Sequence, residues 1–279
     1  MPVIVPEDLS TRWILEAEGV FLLDRSGAQR QDCRPLRVLV VDLDGSAADA
    51  VDSVLALLSL SPLQIEPVVA TLPGMNASRS TAVASRPWTQ TWNETFDATI
   101  LTDRRDDDGL PQHSVWWDEV RDFLDWSRDH ARAHLYLGWA AYAALAHIHG
   151  IEAHGQPQAI AACLPHRVVR RQSYLLRGVD DEFAVYARWQ RRLSKRFLID
   201  APGIELLAES LTGDPYLLRT YDRRSLYALH QPLGDAGISA GPRIGASHAA
   251  LLVSNWLNYY LYQPTSLPRV GLGTHTQQR

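Results

Sequence analysis

Residues 134–147 contain a short apolar segment, one glycine and an alanine-rich run, and this order constrains the fold more than any other part of the chain. The segment 134–137 suits a buried strand, Gly138 permits a sharp turn, and the alanines that follow favour a helix. A strand, a tight turn and a helix in this order form the elbow on which many α/β enzymes expose a nucleophile, beside backbone N–H groups that can hold an oxyanion. Here the residue at the tip is Gly138, which has no side chain that could attack a substrate.

The segments before this elbow alternate between strand and helix patterns. Strands are predicted at 36–43, 63–69 and 96–101, helices at 47–60 and 115–129, and a polar connection at 71–93. Such alternation is typical of an α/β fold with a mostly parallel sheet and helices on both faces.

The second half of the chain contains shorter apolar segments. Strands are predicted at 183–186, 204–208, 216–218 and 225–229, and a long apolar helix at 248–262. We therefore expect three parts, which are an irregular N-terminal arm at 1–36, an α/β domain at 37–263 and a flexible tail at 264–279.

Composition restricts the partners of the protein. The 279 residues carry a formal net charge of −5, which argues against a dedicated nucleic-acid or membrane partner. The arginine-rich stretches 167–171 and 188–196 are interpreted as solvated surface. Cys33 and Cys163 are too few for a disulfide framework or a metal cluster, and no signal peptide or membrane span is evident. We therefore expect a cytoplasmic protein that binds no metal and needs no cofactor.

Several segments along the whole chain together resemble the homoserine O-succinyltransferase (homoserine O-acyltransferase) family. One of them, residues 124–127, is similar to the family's Phe-Asp-Trp-Ser and comes just before the predicted elbow. The other similar segments are 1–2, 14–20, 30–36, 61–66, 175–181 and 254–260. The resemblance implies a fold similar to that of the class I glutamine amidotransferases, which agrees with the predicted order of strands and helices.

The resemblance also implies a mechanism whose key residues are replaced in this chain. In the family, a cysteine at the elbow accepts the acyl group from acyl-CoA, a histidine activates the thiol and a glutamate orients the histidine. Aligned on Trp139, the cysteine position is Gly138, and the histidine and glutamate positions are Gln231 and Leu233. A local shift of one residue would instead make His230 the base.

Other family segments differ as well. The lysines that follow the first strand are absent from residues 43–47, and the segment expected near the oxyanion site reads Asp103-Arg104-Arg105. We interpret Cys33 and Cys163 as small packed side chains, and His166 and His248 as structural. Ser46 and Ser247 do not by themselves define a triad.

Three functional hypotheses remain open. The first is a protein without catalytic residues, which binds an acyl-CoA or amino-acid ligand in the remaining pocket or forms a homodimer or a heteromer with an active relative. The second is direct transfer of an acyl group to homoserine or a related amino acid, with His230 as general base. The third is different chemistry that uses Asp103, Arg104 or Arg188. The residues expected around the pocket are Trp139, Arg188, His230 and His248.

Overall fold

The computed structural model of the chain describes most of the predicted domain. The described residues are 3–4, 22–23, 34–43, 49–74, 83–104, 109–199, 201–230 and 246–262. At 3–4, 22–23, 49, 156–161, 188–190, 197 and 199 the description covers the backbone alone. The predicted tail at 264–279 therefore lies outside the described residues.

Within the described ranges the strands form one mixed sheet of twelve strands. They are β1 (Val3–Ile4), β2 (Leu22–Leu23), β3 (Leu36–Asp42), β4 (Ile65–Thr71), β5 (Arg86–Pro87), β6 (Phe96–Leu101), β7 (Ala131–Leu137), β8 (His154–Val168), β9 (Glu182–Arg192), β10 (Ile204–Ser210), β11 (Pro215–Thr220) and β12 (Ser225–Ala228). The order across the sheet is β2-β1-β4-β3-β6-β7-β12-β11-β10-β8-β9, with β5 beside β4. Neighbouring strands in the series β2, β1, β4, β3, β6, β7 and β12 are parallel. Neighbouring strands in the series β12, β11, β10, β8 and β9 are antiparallel.

Helices cover both faces of the sheet. They are α1 (Asp49–Ser59), α2 (Trp117–His130), α3 (Trp139–His149), the short α4 (Lys195–Ile199) and α5 (Ala246–Trp256), which continues as a π-helical segment over Leu257–Tyr262. Side chains of α1 and α5 belong to the core on one face, and those of α2 and α3 to the core on the other. The predicted mostly parallel sheet with helices on both faces is confirmed.

The alternation of side chains along β3 explains why the centre of the sheet reads as a continuous apolar run. Val38 and Val40 lie in the core beneath α1 and α5, whereas Leu39 and Val41 lie in the core beneath α2 and α3. A strand that is buried on both faces needs an apolar side chain at every position. Each fully buried side chain of this size contributes about 1.5–3 kcal/mol to folding, so β3 is a stable centre for the sheet.

The main difference from the sequence prediction is a long hairpin made of β8 and β9. No strand was predicted at 154–168, because Pro157 and Pro165 interrupt a segment that also contains polar residues. In the structure Pro165 lies opposite Ala184 within the ladder of β8 and β9. The strand predicted at 183–186 is only part of the N-terminal half of β9.

The other element boundaries shift by a few residues, and the polar connection at 71–93 contains additional structure. This connection includes β5 and a 3-10 helix at Trp88–Thr91. In the predicted N-terminal arm, the described pairs Val3–Ile4 and Leu22–Leu23 extend the sheet beside β4. Among the described residues, no helix combines the length and the apolar character needed to cross a bilayer.

Candidate functional site

The predicted elbow is present where β7 passes into α3. Gly138 links the two elements with φ 53° and ψ −121°, a backbone conformation that residues with a Cβ adopt only under strain. Its N–H donates to the carbonyl of Ala228 at the end of β12 (2.8 Å), and its own carbonyl accepts the N–H of Ala141 (3.0 Å). The turn is therefore fixed by the neighbouring strand and by the first turn of the helix.

The carboxylate of Asp103 lies directly against this turn. The backbone N–H of Trp139, the first residue of α3, donates to Asp103 Oδ1 at 2.6 Å. A Cβ atom built on Gly138 would be 2.2 Å from Cγ and Oδ1 of Asp103 and 2.6 Å from Oδ2. The space that a side chain at the elbow would need is thus filled by an aspartate from the loop after β6.

Backbone and side-chain contacts on both sides of Asp103 hold that loop against the end of β3. The N–H of Thr102 donates to the carbonyl of Val41 (3.0 Å), and the Thr102 hydroxyl accepts the N–H of Leu43 (3.0 Å). The guanidinium of Arg104 donates to the carbonyl of Leu43 (3.0 Å) and lies over the ring of Trp116. Asp103 is therefore presented to the elbow by a segment attached to the adjacent part of the sheet.

A buried arginine packs against α3 near the N-terminus of that helix. Arg191 is 7% exposed, and it donates to the carbonyl of Gly109 at 2.7 Å. Its guanidinium lies 5.6 Å from the centre of the Tyr142 ring. Burial raises the pKa of Tyr142, an effect that the positive charge of Arg191 partly offsets and the negative charge of Asp103 adds to. The interpretation of the stretch 188–196 as solvated surface is wrong for Arg191.

A signal for Arg191 was available in the sequence. Alternate residues of β9 face the interior, and Phe183, Val185 and Ala187 are buried. Arg191 has the same parity, so the period of two along the strand predicts a buried side chain. The side chain packs on Tyr142 of α3, in the core opposite to the one that contains Phe183 and Val185. The arginines around it concealed this pattern.

The residues expected around the pocket are not all brought together. Trp139 is fully buried in the core beneath α2 and α3. His248 is in α5, on the other face of the sheet, where its Nε2 atom lies 3.0 Å from Oδ2 of Asp180. It lines a mainly apolar pocket together with Leu176, Phe183 and Leu252. The side chain of Arg188, and Gln231 and Leu233 entirely, lie outside the described residues.

His230, at the end of the segment that follows β12, is also buried. Its ring stacks on Tyr216 with centroids 6.0 Å apart and lies 6.1 Å from the ring of His166. Burial lowers the pKa of His230 to about 3, and the neighbouring His166 contributes in the same direction. At neutral pH His230 is therefore an uncharged and weakly basic side chain.

The remaining candidate residues either lie away from the elbow or are not among the residues that the structure describes. His166 is fully buried, and its Nδ1–H donates to the carbonyl of Leu164 (2.9 Å), which is a structural role. Cys163 is exposed on β8, so its interpretation as a small packed side chain is wrong. Cys33 and Ser46 lie outside the described residues, within which no group of three His, Cys, Asp or Glu side chains is arranged to hold a metal ion.

The architecture is that of a class I glutamine amidotransferase-like α/β protein with a strand–turn–helix elbow. Among solved structures, the fold is similar to the glutaminase domain of Trypanosoma brucei CTPS, with a TM-score of 0.54 and 8% sequence identity over 79% of this chain and 93% of that chain. Within this class, a family model for homoserine O-succinyltransferase matches residues 2–235, and the chain belongs to that family.

Two relatives extend the match to nearly the whole chain. A homoserine O-succinyltransferase of Shewanella sediminis is 30% identical, with 95% of each protein covered. A homoserine O-acetyltransferase of Synechococcus elongatus is 31% identical, with 95% of this chain and all of the relative covered. The family resemblance found in the sequence is confirmed. The names of the two relatives specify different acyl groups, succinyl and acetyl.

Proposed function

We propose that this protein is a homoserine O-acyltransferase-like family member that does not catalyse acyl transfer. The observation that carries the proposal is the glycine at the elbow, whose turn is intact while the nucleophilic side chain is missing. Acyl transfer by a covalent intermediate requires a nucleophile, a base and an oxyanion site at one place. Removal of the nucleophile alone eliminates the covalent step.

Of the described side chains considered as replacements, neither Cys163 nor Asp103 supplies a nucleophile at the elbow. Cys163 is on β8, and three strands separate it from β7 in the order of the sheet. At about 4.8 Å per strand this corresponds to roughly 19 Å. Asp103 does reach the elbow, but its carboxylate accepts the N–H of Trp139, which would otherwise be available to a developing oxyanion.

Direct acylation of an amino-acid hydroxyl, without a covalent intermediate, is the alternative. It needs a base with a pKa near the working pH. His230 was the candidate, and its burial and its pKa of about 3 argue against that role. The described histidines therefore favour the first proposal.

The proposed role is connected with homoserine acylation in methionine biosynthesis, in the cytoplasm. The family membership and the preserved sheet support a scaffold that binds acyl-CoA or an amino acid, or that forms a homodimer or a heteromer with a catalytic relative. Mixing the purified protein with an active family member, and measuring both the mass of the complex and the rate of that enzyme, tests the second role.

A turnover assay tests the central proposal. The purified chain is mixed with succinyl-CoA or acetyl-CoA and homoserine, and released CoA is followed with a thiol reagent. The two curated relatives serve as positive controls for the two donors. We expect no release above the rate without protein. Turnover above that rate, or an acyl adduct detected by mass spectrometry on any side chain, would overturn the proposal. Loss of that turnover in His230→Ala would identify His230 as the base.

A further inference from the structure

The elbow lacks a nucleophile, and the contact between Asp103 and Gly138 also leaves no space for one. A Cβ on residue 138 would be 2.2 Å from two atoms of the Asp103 carboxyl group, closer than non-bonded atoms can approach. These atoms are the end of the Asp103 side chain, so a side chain at position 138 fits only if Asp103 leaves the turn, through rotation about χ1 or a shift of its loop. Asp103 therefore excludes any side chain from the elbow in the present conformation.

The same carboxylate also uses the hydrogen-bond donor of the elbow. In enzymes built on such a turn, the N–H of the residue after the nucleophile is one of the oxyanion donors. Here that N–H belongs to Trp139 and is 2.6 Å from Asp103 Oδ1. A negative charge at the first N–H of a helix is stabilised by the helix dipole as well. An external oxyanion would have to displace Asp103 from this donor.

Displacement is opposed by the contacts on each side of Asp103. Thr102 is tied to Val41 and Leu43, and Arg104 is tied to the carbonyl of Leu43 and packs on Trp116. The loop that carries the carboxylate is thus attached to β3, independently of the elbow itself.

We infer that Asp103 is an internal carboxylate ligand of the elbow, which blocks both the position of the nucleophile and the oxyanion donor. It is a positioning residue that determines, together with Gly138, which chemistry this turn can support. The inference rests on the proposed function and adds to it that a thiol restored at position 138 is not accommodated while Asp103 remains.

Four variants test this inference: Gly138→Cys, Asp103→Gly, the two combined, and Gly138→Cys with Asp103→Asn. The last keeps the volume of the side chain at position 103 and removes its charge, so it separates crowding from electrostatics. The readouts are the melting temperature and the rate at which iodoacetamide labels residue 138 in the native protein, resolved from Cys33 and Cys163 by peptide mass spectrometry.

We expect Gly138→Cys alone to lower the melting temperature and to label slowly. Adding Asp103→Gly should recover at least half of the lost melting temperature and accelerate labelling at least tenfold, whereas adding Asp103→Asn should do neither. Equal melting temperatures and labelling rates for Gly138→Cys with and without Asp103→Gly would overturn the inference. That result is distinct from turnover by the unmodified protein, which would overturn the proposed function alone.

Discussion

His230 and Tyr216 stack in the interior with their ring centroids 6.0 Å apart and an angle of 11° between their planes. Both side chains are buried, and burial lowers the pKa of His230 to about 3. His134, which is buried beside the hydroxyl of Thr99 (2.9 Å), has its pKa lowered to about 3 by the same cause. Both rings are therefore in the neutral form in the folded protein near neutral pH.

These two histidines predict a marked loss of stability in acid. Unfolded histidine has a pKa near 6.5, so between pH 6.5 and about 3 the unfolded chain binds protons that the folded chain does not. The stabilisation is complete above pH 6.5 and decreases as the pH falls through this window, by several kcal/mol for each ring. Urea unfolding between pH 7.5 and 4 measures the change.

His230→Phe is the matched variant, since it retains an aromatic ring against Tyr216 but cannot bind a proton. We expect the free energy of unfolding of this variant to vary less with pH than that of the unmodified protein. Identical pH dependence for the two proteins would show that His230 does not contribute.

Gly138→Ala should be strongly destabilising, because it combines a positive φ with a steric conflict against Asp103. A strained backbone and crowding together cost about 2–5 kcal/mol. Gly150→Ala is the control, because Gly150 also has a positive φ of 65° but a Cβ there would meet no atom within 4 Å. Its expected cost is about 1–2 kcal/mol. Urea unfolding that gives equal costs would contradict the steric part of the argument.

Removal of the Glu209 carboxylate and removal of the two cations that contact it should cost different amounts of stability. Its side chain is 2% exposed, whereas Arg167 and Lys195, which contact its carboxylate at 2.7 and 2.6 Å, are about half exposed. Burial alone would raise the pKa of Glu209, but these two cations outweigh it and lower the pKa. Replacing both cations by alanine leaves a buried, unpaired carboxylate and should cost about 3 kcal/mol or more.

The reverse change should cost less, because Glu209→Leu leaves two cations that water can solvate. The free energies of unfolding of Arg167→Ala/Lys195→Ala and of Glu209→Leu, measured in urea at pH 7, test this order. A larger loss of unfolding free energy for Glu209→Leu would contradict the prediction that a buried, unpaired carboxylate costs more than two exposed, unpaired cations.

Arg191 and Tyr142 should be energetically coupled, because the guanidinium lies over the ring in a buried place. A cation–π contact of this kind contributes about 0.5–2 kcal/mol. A double-mutant cycle with Arg191→Met and Tyr142→Leu isolates the contribution from the other contacts of Arg191. Additive effects of the two substitutions would exclude it.

The sequence predicted those parts of the fold whose pattern is local. The elbow around Gly138 was evident because an apolar strand, one glycine and an alanine-rich helix adjoin one another in the chain. The parallel strands were evident because burial on both faces requires uninterrupted apolar runs. The hairpin of β8 and β9 was missed because prolines within it resemble loop residues until the partner strand is known.

The candidate site was predicted only in part, because its contacts join distant parts of the chain. Asp103 and Trp139 are 36 residues apart, and only the family resemblance placed the segment 103–105 near the oxyanion site. The burial of His230 depends on how Tyr216 and His166 pack around it, which no pattern near position 230 encodes. The burial of Arg191 was not predicted, because the basic residues around it indicated an exposed stretch.

The hydrogen bond from Gly138 to Ala228 has a consequence for how such a scaffold persists. Ala228 ends β12, the strand at which parallel pairing gives way to antiparallel pairing, so the bend is anchored at the seam of the whole sheet. Both partners in this bond are main-chain atoms, which every non-proline residue supplies. The groups that form this anchoring bond therefore do not depend on which non-proline side chain occupies position 138 or position 228.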